Sequence, residues 1–204
     1  MQLDLVGQQW QRKIVVAAFI VAGVMMMLAG GPVSQESSLW HEATERSGVI
    51  LIVIGILGRT WCSMYIGGHK LRRLVTEGPY SITRNPLYVF SAIAAFGVGA
   101  QTGSLGFALL CAAATIAIFL LVVSHEERAL ARLFPADYAK YKQETPRFIP
   151  AFGKWRDAES ISVNPALVRR TFLDALVFLL AIPLVKALEG LRESWLTAPT
   201  FQLY

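Results

Sequence analysis

From Pro86 to Val123 the chain runs for 38 residues without one charged side chain. As a single helix this stretch would reach about 57 Å, nearly twice a hydrocarbon core of ~30 Å. It therefore reads as two membrane-crossing helices, about 86–102 and 104–123. The break falls at Gln101-Thr102-Gly103-Ser104, where glycine and small polar residues favour a turn. Three further segments fit the roughly 20 mostly apolar residues of a spanning helix: 14–30, 49–66 and 171–188. The last is interrupted by Asp174, Pro183 and Lys186. Charged residues make up only 16% of the chain, too few for an ordinary soluble surface. The expected fold is all-α: one membrane-embedded domain over 1–204, with about five transmembrane helices and a cytoplasmic amphipathic helical segment. A signal peptide ahead of a soluble domain would not produce several such stretches. Cleavage of the first span near Ala29 to Gly31 is the alternative for that segment alone.

Orientation follows from the lysines and arginines. With an inward N-terminus, Arg12, Lys13, the 67–85 loop and the 124–170 segment face the cytoplasm, and these regions hold 15 of the 19 basic residues. The expected location is a multi-pass place in a bacterial inner membrane, with the active site facing the cytoplasm. A net charge of +5 is then explained by an anionic leaflet, and no nucleic-acid partner is implied. Cys62 and Cys111 lie in apolar spans, and His41, His69 and His125 are scattered, so neither a disulfide framework nor a metal site is expected.

Two hydrophilic stretches carry the chemistry. The first, Gly67 to Asn85, is dense in turn formers and bases, and contains Gly78-Pro79-Tyr80 and Arg84-Asn85-Pro86 with Tyr88 just beyond. The second opens on His125-Glu126-Glu127-Arg128 and runs to about Arg170. Its early part is expected to be helical, and Pro135 can start a new helix with Tyr138 and Tyr141 on one face. Pro146 and Pro150 then force extended chain. Such a helix would lie on the membrane surface, with its tyrosines inward and Lys140 and Lys142 outward.

In their order and spacing across a transmembrane hairpin, these pieces resemble the isoprenylcysteine carboxyl methyltransferases and the related membrane phospholipid N-methyltransferases. The pieces are Gly78-Pro79-Tyr80, Arg84-Asn85-Pro86 with Tyr88, Glu126-Glu127, and Tyr138-x-x-Tyr141 followed by Pro146-Arg147. The resemblance covers roughly Gly58 to Pro150. It implies a methyltransferase that uses S-adenosylmethionine, held in a cytoplasmic pocket, on a lipid-embedded acceptor of prenyl or phospholipid type. Consistently, no Gly-x-Gly-x-x-Gly follows a strand. Carried over by position, Tyr80, Arg84, Asn85, Pro86 and Tyr88 border the cofactor from one side. Glu126 and Glu127 offer acceptors to its hydroxyls or amino group, and Tyr138, Tyr141, Pro146 and Arg147 close over it. Asn85 departs from the histidine of many relatives, which removes imidazole chemistry there but keeps an amide able to donate and accept.

The physical reading agrees with this division. In-line methyl transfer needs nucleophile and methyl held in near-attack geometry, and a sulfonium favours acidic and aromatic walls. An amine acceptor would also need a base, and one of the two glutamates could take its proton. Arg59, seven residues inside the cytoplasmic end of its span, sits where arginine costs roughly 2.5–3.5 kcal/mol and commonly faces a partner. It is the candidate clamp for an anionic headgroup, so Arg59 and Glu127 are the expected catalytic pair. Each feature also has a structural explanation: prolines as loop punctuation, Glu126-Glu127 as a solvated helix end, tyrosines as an interfacial belt. Two other functions fit the composition. One is an NADPH-dependent membrane reductase with Arg72, Arg73 and Arg84 on a cofactor phosphate. The other is a non-catalytic lipid-binding protein.

Overall fold

The computed structural model describes residues 38–66 and 73–196, and all regular structure among them is helical. Helix α1 covers Ser38–Ile66, α2 Pro79–Ile82, α3 Pro86–Ala100, α4 Leu105–Leu133, α5 Pro135–Glu144, α6 Pro165–Leu176 and α7 Ala181–Leu196. Short 3-10 turns lie at Phe152–Lys154 and Val177–Leu180. Proline opens α2, α3, α5 and α6 at the first turn, where its missing N–H would have no partner in any case.

The hairpin between α3 and α4 turns at 101–104 as its composition requires. Gly103 takes a positive φ of 69°, and the Ser104 hydroxyl caps α4 by accepting from the Phe107 N–H at 3.3 Å. Gln101, 2% exposed, ties this turn to α1 by donating to the Glu45 carbonyl at 3.0 Å. At the same end Lys186, its side chain half exposed, pairs with Glu45 at 2.5 Å.

Helix α1 packs against α3 and α6, and α3 against α4. Ile52, Ile56 and Ala175 form the buried centre, with Val98, Leu176, Phe178, Leu179 and Ile182 packed around it. Where α1 crosses α3 the backbones touch: a Cβ on Gly97 would lie 2.6 Å from the Gly48 carbonyl oxygen and 2.9 Å from the Ile52 nitrogen. Close approach of this kind is how helices associate when lipid supplies no hydrophobic drive. Gly97→Leu is therefore expected to lower stability in detergent by at least the ~1–3 kcal/mol of ordinary overpacking. A thermal melt indistinguishable from the parent would mean that the two backbones are not in contact.

Among the described residues, three helical stretches are long and apolar enough to cross a membrane: Leu39–Ile66, Leu105–Leu133 and Pro165–Leu188. Leu109, Leu110, Ile116, Leu120 and Leu121 stand exposed along α4, as a lipid-facing surface requires. The expectation of about five spans is thus met in three. Helix α3 is apolar but has only 15 residues, a length of about 22 Å. The expected span at 14–30 lies outside the described residues. Helix α4 also continues unbroken past Val123 to Leu133, so Glu126 and Glu127 lie within a continuous helix.

Candidate functional site

Gly78 starts the site because nothing else fits there: its φ is 58°, and a Cβ would fall 2.2 Å from the Tyr65 ring. From Gly78 to Asn85 the loop is bound along its length by residues 146–156. The Gly78 N–H donates to the Arg156 carbonyl at 2.7 Å, and the Ala151 N–H to that of Ile82 at 2.9 Å. The Arg84 N–H donates to the Pro146 carbonyl at 2.9 Å, while the Thr83 hydroxyl and the Asn85 amide reach the Arg147 carbonyl at 3.2 and 3.1 Å. Ser81 bridges the two segments, donating to the Gly78 carbonyl at 2.6 Å and accepting from the Arg156 N–H at 3.0 Å. Trp155 stacks on Trp61 of α1 with centroids 5.6 Å apart, which fastens the far end of the strap.

At the centre stands Glu127. One carboxylate oxygen is 3.3 Å from Arg84 Nε and accepts from the Asn85 amide at 3.3 Å; the other is 3.1 Å from Arg147 Nε. Arg84 is 8% exposed, so this is a largely desolvated network. Arg147 is held further by donating to the Ser124 hydroxyl at 2.8 Å. Burial, then the Glu127 charge, push the nearby Tyr138 hydroxyl up to about 12. The adjacent Glu126 points elsewhere, because successive residues on a helix are turned by about 100°. It accepts from the Tyr88 hydroxyl at 2.9 Å.

Helix α5 lies over this centre. Tyr138 and Tyr141 are each 4% exposed, and the Tyr141 hydroxyl donates to the Tyr80 carbonyl at 2.7 Å. Burial holds the Tyr141 hydroxyl well above the usual tyrosine range. The two tyrosines are therefore buried against the Gly78–Asn85 loop, while Lys140 and Lys142 are exposed as expected. Arg59 lies deeper on α1 and donates to the Ser91 hydroxyl of α3, which in turn donates to the Leu87 carbonyl at 2.7 Å.

All the residues marked in the sequence from Tyr80 to Arg147 thus converge at one end of the helices, with Arg59 one layer below. Sequence reasoning missed Ser81, Thr83, Ser124, Trp155 and Arg156. Their partners are distant in sequence, and only Ser124, one turn ahead of the glutamates, carried a local hint. Of the basic set considered for a nucleotide phosphate, Arg73 pairs with Glu77 at 3.0 Å and Arg84 with Glu127; Arg72 lies outside the described residues. Among the described residues no group of three or more His, Cys, Asp or Glu side chains is arranged to hold a metal.

An apolar groove of about 500 Å³ runs below the site between α3 and α4, bounded by Leu51, Ala92, Phe96, Ile116 and the Phe148–Pro150 strap. Among its lining side chains only Tyr88 carries a polar atom, the hydroxyl bonded to Glu126.

Residues 45–137 match the family model described as phospholipid methyltransferase, a segment that includes Arg59, the Gly78–Tyr88 pieces and both glutamates. Two curated proteins are similar. The nickel-cobalt-cadmium resistance protein NccN of Alcaligenes xylosoxydans xylosoxydans is 33% identical over 195 residues, 95% of this chain and 90% of that protein. The cobalt-zinc-cadmium resistance protein CzcN of Cupriavidus metallidurans is 36% identical over 132 residues, 65% of this chain and 61% of that protein. No solved structure matches the chain. With its central segment matched and its motifs assembled at one site, the chain belongs to the phospholipid methyltransferase family of membrane proteins.

Proposed function

We propose that the protein transfers a methyl group from S-adenosylmethionine to a lipid-embedded acceptor at the cytoplasmic face of the membrane. The observation that carries this reading is the convergence of the Gly78–Tyr88 loop, Glu126-Glu127 and the Tyr138–Arg147 segment around one buried carboxylate network. The relatives' names extend the proposal to a physiological role in resistance to divalent heavy metals.

The residues present suit the cofactor. S-adenosylmethionine supplies a methyl on a positively charged sulfur, and Glu126 with the Tyr80 and Tyr88 rings offers the acidic and aromatic walls that such a cation favours. Glu127 holds Arg84 and Arg147, and with them the loop and the strap, in fixed register. Asn85 and Pro86 set the edge at the start of α3, and Tyr138, Tyr141 and Pro146 exclude water from above. Below, the groove accommodates an alkyl chain, and its one polar handle, Tyr88, leads to Glu126. If the acceptor is an amine, the Glu126 carboxylate oxygen nearest Tyr88 can receive its proton. Arg59, at the depth of a headgroup, suits an anionic portion of the same lipid.

The direct experiment is incubation of the purified protein with a radiolabelled methyl donor and a lipid extract. Label in the organic phase, absent with Glu127→Gln, supports the reading; label nowhere above background contradicts it. The orientation is tested separately. With 15 of 19 basic residues placed inward, a cysteine introduced near Lys142 should react with a membrane-impermeant reagent only in opened cells. Reaction in sealed cells would put the site on the other face.

A further inference from the structure

Tyr80 is 9% exposed, and its hydroxyl is buried with no hydrogen-bond partner among the described residues. Its backbone is secured independently, since its carbonyl accepts from Tyr141. The groups that act on the hydroxyl electrostatically are Cys62 on α1, Tyr141 on α5, Glu126 on α4 and Tyr88 on α3. Burial, first of all, and then these neighbours hold it well above the usual tyrosine range, so it stays a protonated donor at every physiological pH. A donor desolvated in this way weakens the fold, and phenylalanine would fill the same space without that penalty. Such a buried donor calls for a partner, and a bound ligand can supply one.

Position separates the two ligands. Cys62 lies one turn of α1 nearer the Ile66 end than Arg59, between the arginine assigned above to the lipid headgroup and the site, and Tyr88 with Glu126 joins the groove to the cofactor side. The hydroxyl therefore stands on the boundary between the two halves, where donor and acceptor must meet. We propose that the Tyr80 hydroxyl donates a hydrogen bond to the polar group of the lipid acceptor that receives the methyl, and positions it for attack. The proposal rests on the methyltransferase reading above and adds the residue that orients the acceptor.

The test is Tyr80→Phe, compared with the parent in three measurements. In neutral detergent without lipid, its melting temperature is expected to rise by about 2–4 °C, the shift that follows from relieving one buried unpaired donor in a chain of this size. Its calorimetric affinity for S-adenosylhomocysteine should stay within twofold, and methyl transfer to a lipid extract should fall at least tenfold. A lower melting temperature would make the hydroxyl structural and overturn the proposal. A tenfold loss of S-adenosylhomocysteine affinity would assign it to the cofactor, and unchanged turnover would assign it to neither ligand; each also overturns the proposal. A parent that binds no S-adenosylhomocysteine overturns the methyltransferase reading, and this inference with it. An active parent with any of the other outcomes overturns this inference alone.

Discussion

Glu127→Gln is expected to lose cofactor affinity and site closure together. A glutamine carries no charge to set against Arg84 and Arg147, whose Nε atoms lie 3.3 and 3.1 Å from the carboxylate. Breaking a buried pair by removing one partner typically costs 3–5 kcal/mol, because the other charge is left desolvated. The value here should be near the lower end, about 3 kcal/mol, since Arg84 is buried at 8% exposure but Arg147 reaches water at 34%. The freed Arg147 releases the strap that covers the Gly78–Asn85 loop, so limited proteolysis between residues 145 and 157 should accelerate. Cofactor affinity should fall ten- to hundredfold, the loss expected for a charged hydrogen bond of ~1.5–3 kcal/mol. A variant with parental proteolysis and parental affinity would show that the glutamate is a solvated helix end.

Arg59→Ala should separate the two halves of the site from the other side. Arg59 donates to Ser91, one layer below the Glu127 network. Affinity for S-adenosylhomocysteine should therefore stay close to the parent, while methyl transfer to lipid drops by about ten- to hundredfold with the lost charged hydrogen bond. Cofactor affinity and turnover on a monodisperse sample decide the matter. Poor cofactor binding in this variant, with normal binding in Glu127→Gln, would reverse the assignment of the halves.

How much of this is legible in the sequence depends on whether the signal is local. The turn at 101–104, the helix starts at Pro86 and Pro135, and the end of α5 ahead of Pro146 all follow from glycine, proline and small polar residues acting on their own neighbours. Hydropathy, in contrast, marks where the membrane begins and not where a helix does. Helix α1 is already formed at Ser38, well ahead of Val49, and α4 runs on to Leu133, because residues such as Glu42, Glu45, Glu126 and Arg128 continue a helix in water. The site residues were recognisable as types in order, but their connections were not. The hydrogen bonds from Thr83 and Asn85 to Arg147 and from Gly78 to Arg156, and the Trp61–Trp155 stack, join residues that no periodicity links. Glu126 and Glu127 read alike in the sequence. Only their divergence around α4 gives one to Tyr88 and the groove, and the other to the arginines.

The central claim is that the buried carboxylate and tyrosine network holds an S-adenosyl cofactor. Titration calorimetry of the purified protein with S-adenosylhomocysteine addresses it without needing the acceptor lipid. The account predicts saturable one-to-one binding in the micromolar range, tenfold or more weaker in Glu127→Gln. No heat with S-adenosylhomocysteine or S-adenosylmethionine, together with saturable binding of reduced NADPH, would contradict it.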